Sequence, residues 1–283
     1  MKRKRMFAMM FAAMVAGSTM AQDATNTWPW DFPQNIKINA EPGQTALSCQ
    51  GLYFSAIKKN EDLTKSVLIW YNTTINKVGA EKSTVKKFNE EVEVPNALLV
   101  PIAKGQKAKK GDILLTWWQS GSGMQRAIVV DDSNPAEPTA VYLDLNWPDK
   151  ADDPKTAERR KGEQLKPNSF NVLKDGEWKA GAQVAYHSEG KWKSGTLLQT
   201  DGDKVLLSVF SSKLATANKS DCKLIPFKEK LKEGDKVWVV WLTGYEPGYT
   251  IEKLDLQAGH VYVKKEGRSR VECKSIAQVT KVL

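Results

Sequence analysis

The stretch KAGAQVAYHSEGKWKSGTLLQTDGDKVLLSVF, residues 179–210, decides the fold. Its glycine, Gly181, is followed by a short apolar strand at 184–186. Polar turns at 187–190 and 201–203 separate this strand from two further apolar segments. Short strands divided by Gly and Asp turns at regular spacing are typical of small all-β domains.

The same opening occurs four times, and we call the segments that it begins copies one to four. The opening glycines are Gly43, Gly111, Gly181 and Gly234, at spacings of 68, 70 and 53 residues. Self-similarity at such a period indicates one supersecondary unit used repeatedly. Each copy is predicted to close on a short strand, at 97–101, 169–173, 222–225 and 273–276. The segment 47–57 is predicted to belong to the opening strand region of copy one, and no sustained 3.6-residue period predicts a long helix beyond the N-terminus.

This pattern resembles that of Tudor-like and other SH3-like barrels. Copy three carries the resemblance best, with Gly181, Val184 and Tyr186 followed by a polar turn, Trp192 and the segment 195–198. The resemblance implies an all-β chain of four tandem small barrels. It says little about activity, because small β-barrels support many unrelated functions.

The domain organisation follows from these copies. The expected segments are a signal peptide (1–21), an N-terminal extension (22–39), and the four copies (40–104, 105–175, 176–228 and 229–283). Copy two carries a charged insert at 149–162, which is predicted to be a solvated loop; a binding arm is the alternative.

The first 21 residues have the pattern of a cleaved secretory signal. A basic run at 2–5 precedes an apolar run at 6–16 that is too short to span a bilayer, and small residues precede the cleavage point after Ala21. No second apolar run approaches 18 residues, so no membrane span is expected. The protein is therefore expected to be exported, as a periplasmic or secreted protein of the bacterial envelope.

Charge argues against nucleic acid as the main partner. Four of the 42 basic residues leave with the signal peptide, so 38 remain against 33 acidic residues and the net formal charge falls from +9 to +5. A mild excess of positive charge, spread along the chain, favours binding to anionic surfaces or glycans without requiring nucleic acid as a partner.

The residue types that could carry catalysis or bind a metal ion form no recognisable motif in this sequence. The two histidines, His187 and His260, lie at non-equivalent points of different copies, and no C-x-x-C occurs. Acidic residues such as Asp144 fit turn ends better than an acid/base pair. Three cysteines are an odd number for an exported chain: buried free thiols are the simpler interpretation, and one disulfide with one unpaired thiol is the alternative. We expect no catalytic residues, no metal and no cofactor.

Aromatic residues give the best indication of a site. The chain has ten Trp, and several aromatic residues lie at strand ends or beside turns. The candidate binding residues are Trp118, Tyr186, Trp192, Trp241, Tyr245 and Tyr249. The resemblance implies an aromatic cage at this end of the barrel, where ring faces attract a desolvated cation. The alternative is packing in cores or between barrels.

The sequence thus predicts a non-catalytic binding or scaffold protein that engages a peptide, glycan or protein partner through aromatic-lined barrel ends. The alternative is a periplasmic enzyme or enzyme inhibitor that uses β-barrels as its scaffold. No feature of the sequence indicates the oligomeric state.

Overall fold

The computed structural model describes residues 28–87, 90–145, 158 and 160–283. Its strands are short and pair antiparallel throughout the described ladders, which confirms the all-β class. The predicted signal peptide at 1–21 and most of the charged insert at 149–162 lie outside the described residues. Within the described ranges, no helix is both long and apolar enough to cross a membrane.

Copy one forms a five-stranded sheet with a helix inserted after its first strand. The elements are β1 (Thr45–Ser48), α1 (Gln50–Lys58), β2 (Tyr71–Lys77), β3 (Lys82–Lys87), β4 (Glu90–Pro95) and β5 (Leu99–Pro101). The strand order is β4-β3-β2-β1-β5. The strand prediction for 47–57 is therefore wrong beyond Ser48, because Gln50, Tyr53 and Ala56 recur at a helical spacing and form the buried face of α1.

Copy two repeats this order without the helix. Its strands are β6 (Ile113–Trp117), β7 (Met124–Asp131), β8 (Thr139–Tyr142), β9 (Glu163–Gln164) and β10 (Asn171–Leu173). They lie in the order β10-β6-β7-β8-β9, so the first strand again pairs with both the second and the last.

Copies three and four share one ten-stranded sheet. Copy three supplies β11 (Gln183–Ser188), β12 (Lys191–Asp201), β13 (Lys204–Val209), β14 (Lys213–Asn218) and β15 (Cys222–Ile225). Copy four supplies β16 (Lys236–Trp241), β17 (Gly244–Asp255), β18 (His260–Lys265), β19 (Val271–Ser275) and β20 (Val279–Thr280). In each copy the first strand pairs with the second and the fifth. The predicted closing strand at 273–276 is therefore wrong, since Cys273 lies in the fourth strand and β20 closes the copy.

The opening glycine of every copy has the same backbone role. All four have a positive φ, between 78° and 96°, which glycine adopts without steric cost. Each glycine N–H donates to a carbonyl of the second strand at 2.7–2.8 Å, and the residue after the glycine accepts a bond in return. The accepting carbonyls belong to Ile75, Val129, Leu197 and Ile251.

A bulge follows at the same point in all four copies. The pairing of the second strand with the third shifts register immediately after those four residues. A β-bulge bends its strand and increases the local twist. The sequence repeat is thus a structural repeat of a turn, a bulge and a strand order.

The core joins the copies into one body. Leu114, Val184 and Val237, each three residues after its opening glycine, are all buried. The largest apolar cluster contains side chains from all four copies and from the segment before them, including Trp30 and Phe32. The Trp30 Nε1–H donates to the Leu214 carbonyl at 3.2 Å, so the N-terminal extension packs on copy three.

Acid is expected to weaken the fold through His260, which is buried on β18. Burial lowers the pKa of His260 to about 4, and the charge of Arg160 adds to this effect, whereas Asp255 opposes it. An unfolded His titrates near 6.5. The unfolded state then binds more protons between pH 6.5 and 4, and we expect the free energy of unfolding to fall by about 3 kcal/mol at most as the pH falls through this window.

Urea unfolding at several pH values measures this effect. His260→Gln should flatten the pH dependence between 6.5 and 5, whereas the same change at the exposed His187 should preserve it. An NMR titration of the wild type gives a second readout that does not depend on the variant's folding. A His260 ring that protonates near pH 6.5 in the folded protein would contradict the prediction.

A candidate ligand-binding groove between copies three and four

Three of the six candidate aromatic residues line one groove. Trp192 lies on β12, Trp241 ends β16 and Tyr245 lies on β17. The groove has a volume of about 430 Å³. Its remaining lining consists of Gly190, Lys191, Lys193, Trp238, Thr243, Gly244, Glu246 and Pro247. Sequence reasoning named Trp192, Trp241 and Tyr245 among its candidates, and it missed Trp238.

The groove forms where two hairpins of different copies meet. Lys193 of β12 pairs with Gly244 of β17, and the Ser194 N–H donates to the Thr243 carbonyl at 2.9 Å. A Cβ at Gly244 would lie 2.7 Å from the Trp192 carbonyl oxygen. Only glycine allows the two backbones to approach this closely, so Gly244 sets the distance between the Trp192 and Trp241 hairpins.

Lysines of the chain itself already occupy positions over two of the indole rings. The Lys223 Nζ lies 5.0 Å from the Trp192 ring centroid, and the Lys274 Nζ lies 5.1 Å from the Trp241 centroid. Both distances are within the range of cation–π attraction. The groove therefore differs from an empty cage for a cationic ligand: it offers apolar indole surface flanked by ammonium groups.

Exposure distinguishes the groove residues from one another. Trp241 is 41% exposed, whereas Tyr245 is buried. The Tyr245 hydroxyl accepts a bond from Gln183 Nε2 at 2.8 Å, and burial raises its pKa to about 12. Tyr245 is therefore neutral at physiological pH and supports the groove from within, while Trp241 offers contact area to a ligand.

The other three candidates lie elsewhere. Trp118 is 38% exposed in copy two, where its ring covers the turn at Gly121: a Cβ there would lie 2.3 Å from the ring. Tyr186 and Tyr249 are buried, the first in the copy three core and the second in the main core. These two tyrosines contribute packing, and neither lines the groove.

The described residues hold no group of three or more His, Cys, Asp or Glu side chains close enough to bind a metal ion. Cys49, Cys222 and Cys273 are free thiols in the structure. Burial raises the pKa of all three, that of Cys222 to about 11, so their reactive thiolate forms are suppressed at neutral pH.

Two comparisons with known proteins found no relative of this chain. The chain matches no model of a protein family and no curated protein sequence. Its function must therefore be inferred from the groove and the fold.

Proposed function

We propose that this chain is a non-catalytic, exported binding protein of the bacterial envelope. Its four copies act as tandem SH3/Tudor-like barrels that hold a peptide, a glycan or a partner protein in the groove between copies three and four. Export rests on the basic and apolar pattern of residues 1–21. The repeated strand order and the shared turn support the barrel assignment.

One observation carries the binding role: Trp192, Trp238 and Trp241 converge on a single surface groove. Exposed aromatic residues are enriched at binding sites because a rigid ring supplies much contact area for little lost conformational entropy. Lys191 and Lys193 also line the groove, and the Lys193 ammonium is ion-paired with Glu189 at 2.6 Å; such charged side chains can orient a bound chain.

The proposal predicts that binding depends on Trp192 and Trp241 together. The mature chain, residues 22–283, is applied to arrays of immobilised peptides and glycans, and affinities for the strongest hit are measured by calorimetry. Trp192→Ala and Trp241→Ala should each weaken binding at least about tenfold, because truncating a central aromatic hot spot costs about 2 kcal/mol or more and about 1.4 kcal/mol corresponds to a tenfold change in Kd.

Trp118→Ala is the matched control, because Trp118 is exposed to a similar degree but lies in copy two. It should bind as the wild type does. Gly244→Ala should also weaken binding, by separating the two hairpins, whereas Gly51→Ala on α1, where a Cβ meets no atom within 4 Å, should not. A hit whose affinity depends on Trp118 but not on Trp192 or Trp241 contradicts the proposal, and so does an array without any hit.

A further inference from the structure

A second cavity lies where copies two, three and four meet, and its lining residues differ from those of the aromatic groove. Its volume is about 310 Å³, at the lower end of small-molecule sites, which span about 300–1,000 Å³. Most of its accessible lining is polar. The hydroxyl-bearing residues of the lining are Ser194, Thr196, Ser208, Ser211 and Ser212.

An ion pair within this lining has no net charge. Arg126 is only 5% exposed and contacts both carboxylate oxygens of Asp144, with Nε–Oδ2 at 2.9 Å and Nη2–Oδ1 at 2.5 Å. Its Nη1 donates to Gln183 Oε1 at 2.6 Å. Among the described residues that line the cavity, only Arg126 and Asp144 are charged, so this lining provides no spare charge for an anion or a metal ion.

The rim combines backbone strain with exposed apolar side chains. Ser211, Ser212 and Leu242 have φ of 60°, 53° and 51°. Leu242 is the first residue of a two-residue hairpin connection, between Trp241 and Gly244, where a positive φ is normally supplied by glycine. Leu242 is nevertheless 63% exposed, and Phe210, which also lines the cavity, is 50% exposed.

Such strain is uncommon for residues other than Gly, Asn and Asp, and it concentrates at functional sites. Among the described residues, the other non-glycine positions with positive φ are Asn60, Asn168 and Glu189, and none of these lines the cavity. Two independent features, exposed apolar residues and strained turns, thus coincide at the mouth of one polar cavity.

We infer that this cavity binds a neutral sugar, as a single monosaccharide unit or the end of a glycan. A sugar ring presents hydroxyls that both donate and accept hydrogen bonds, and it also has an apolar C–H face. The serine and threonine hydroxyls and the Gln278 amide match the first property. The Phe210 ring at the rim matches the apolar C–H face. The Arg126–Asp144 pair has no net charge, which suits an uncharged ligand. This inference stands apart from the aromatic groove, since different residues carry it.

The test is a titration of the ¹⁵N-labelled mature protein with glucose, galactose, mannose, N-acetylglucosamine and their common disaccharides, followed by NMR. At least one sugar should give saturable shifts in the backbone amides of Ser211, Ser212, Leu242 and Gln278. Phe210→Ala and Thr196→Val should each weaken that sugar's binding about tenfold or more. Thr200→Val is the matched control on the same strand outside the cavity and should leave binding unchanged.

The absence of saturable shifts at the cavity with every sugar overturns the inference. Equal loss of binding in Thr196→Val and Thr200→Val does so as well, because it shows a general effect of the strand. Shifts that map to Trp192 and Trp241 instead assign the sugar to the aromatic groove: that result also overturns the cavity inference while leaving the proposed function intact.

Discussion

Asp144→Ala is expected to lower the free energy of unfolding by about 1.5–3 kcal/mol. The change leaves Arg126, which is almost fully buried, without its carboxylate partner. The Asp144 side chain is itself 27% exposed, so the loss is smaller than for a fully buried pair, but the Arg126 guanidinium has little access to water and loses its counter-charge. Urea unfolding monitored by circular dichroism measures the effect.

The double variant Arg126→Met/Asp144→Leu separates the effect of the charges from the effect of side-chain volume, because it removes both charges and keeps large side chains. We expect it to be less destabilised than Asp144→Ala, because no unpaired charge stays buried. Asp144→Ala with a loss below about 1 kcal/mol would contradict the pairing of a buried guanidinium, since that value is typical of ion pairs in which both members are exposed.

Gly181→Ala is expected to lower the free energy of unfolding by about 2–5 kcal/mol, and Gly234→Ala by about 1–2 kcal/mol. Both glycines have a positive φ, which alanine adopts only with strain. At Gly181 an added Cβ also lies 2.9 Å from Leu115 Cβ and 3.0 Å from the Leu173 methyl groups, so overpacking adds to the strain. At Gly234 nothing lies within 4 Å.

The difference between these two variants measures the packing of copy three on copy two. Thermal or urea unfolding of both proteins gives the comparison directly. Equal losses of unfolding free energy in the two variants would show that the opening turn of copy three does not contact Leu115 and Leu173.

Sequence patterns predicted what repeats within each copy. The glycine, the short apolar strand after it and the polar turns recur, because the same turn and bulge are built four times. The helix α1 was missed because its nine residues are too few to show a clear period beside an opening strand. The closing strand of copy four was misplaced because Cys273-Lys-Ser-Ile imitates Cys222-Lys-Leu-Ile.

Contacts between copies could not be predicted in the same way. The groove depends on one backbone pairing, Lys193 with Gly244, which produces no sequence period. The Arg126–Asp144 pair joins residues 18 positions apart, and isolated charged residues beside turns have many possible partners. Aromatic residues indicated where a site could lie, but exposure depends on the neighbouring copy: Trp241 is partly open and Tyr249 is buried.

The most direct test of the central proposal, that the groove between copies three and four is the binding surface, is ¹⁹F NMR of residues 22–283 labelled with 5-fluorotryptophan. The resonances are assigned with single Trp→Phe variants, and the strongest hit from the arrays is titrated. We expect the signals of Trp192, Trp238 and Trp241 to shift together with one dissociation constant while that of Trp118 stays unchanged. Shifts at Trp118 without shifts at the three groove tryptophans would contradict the account.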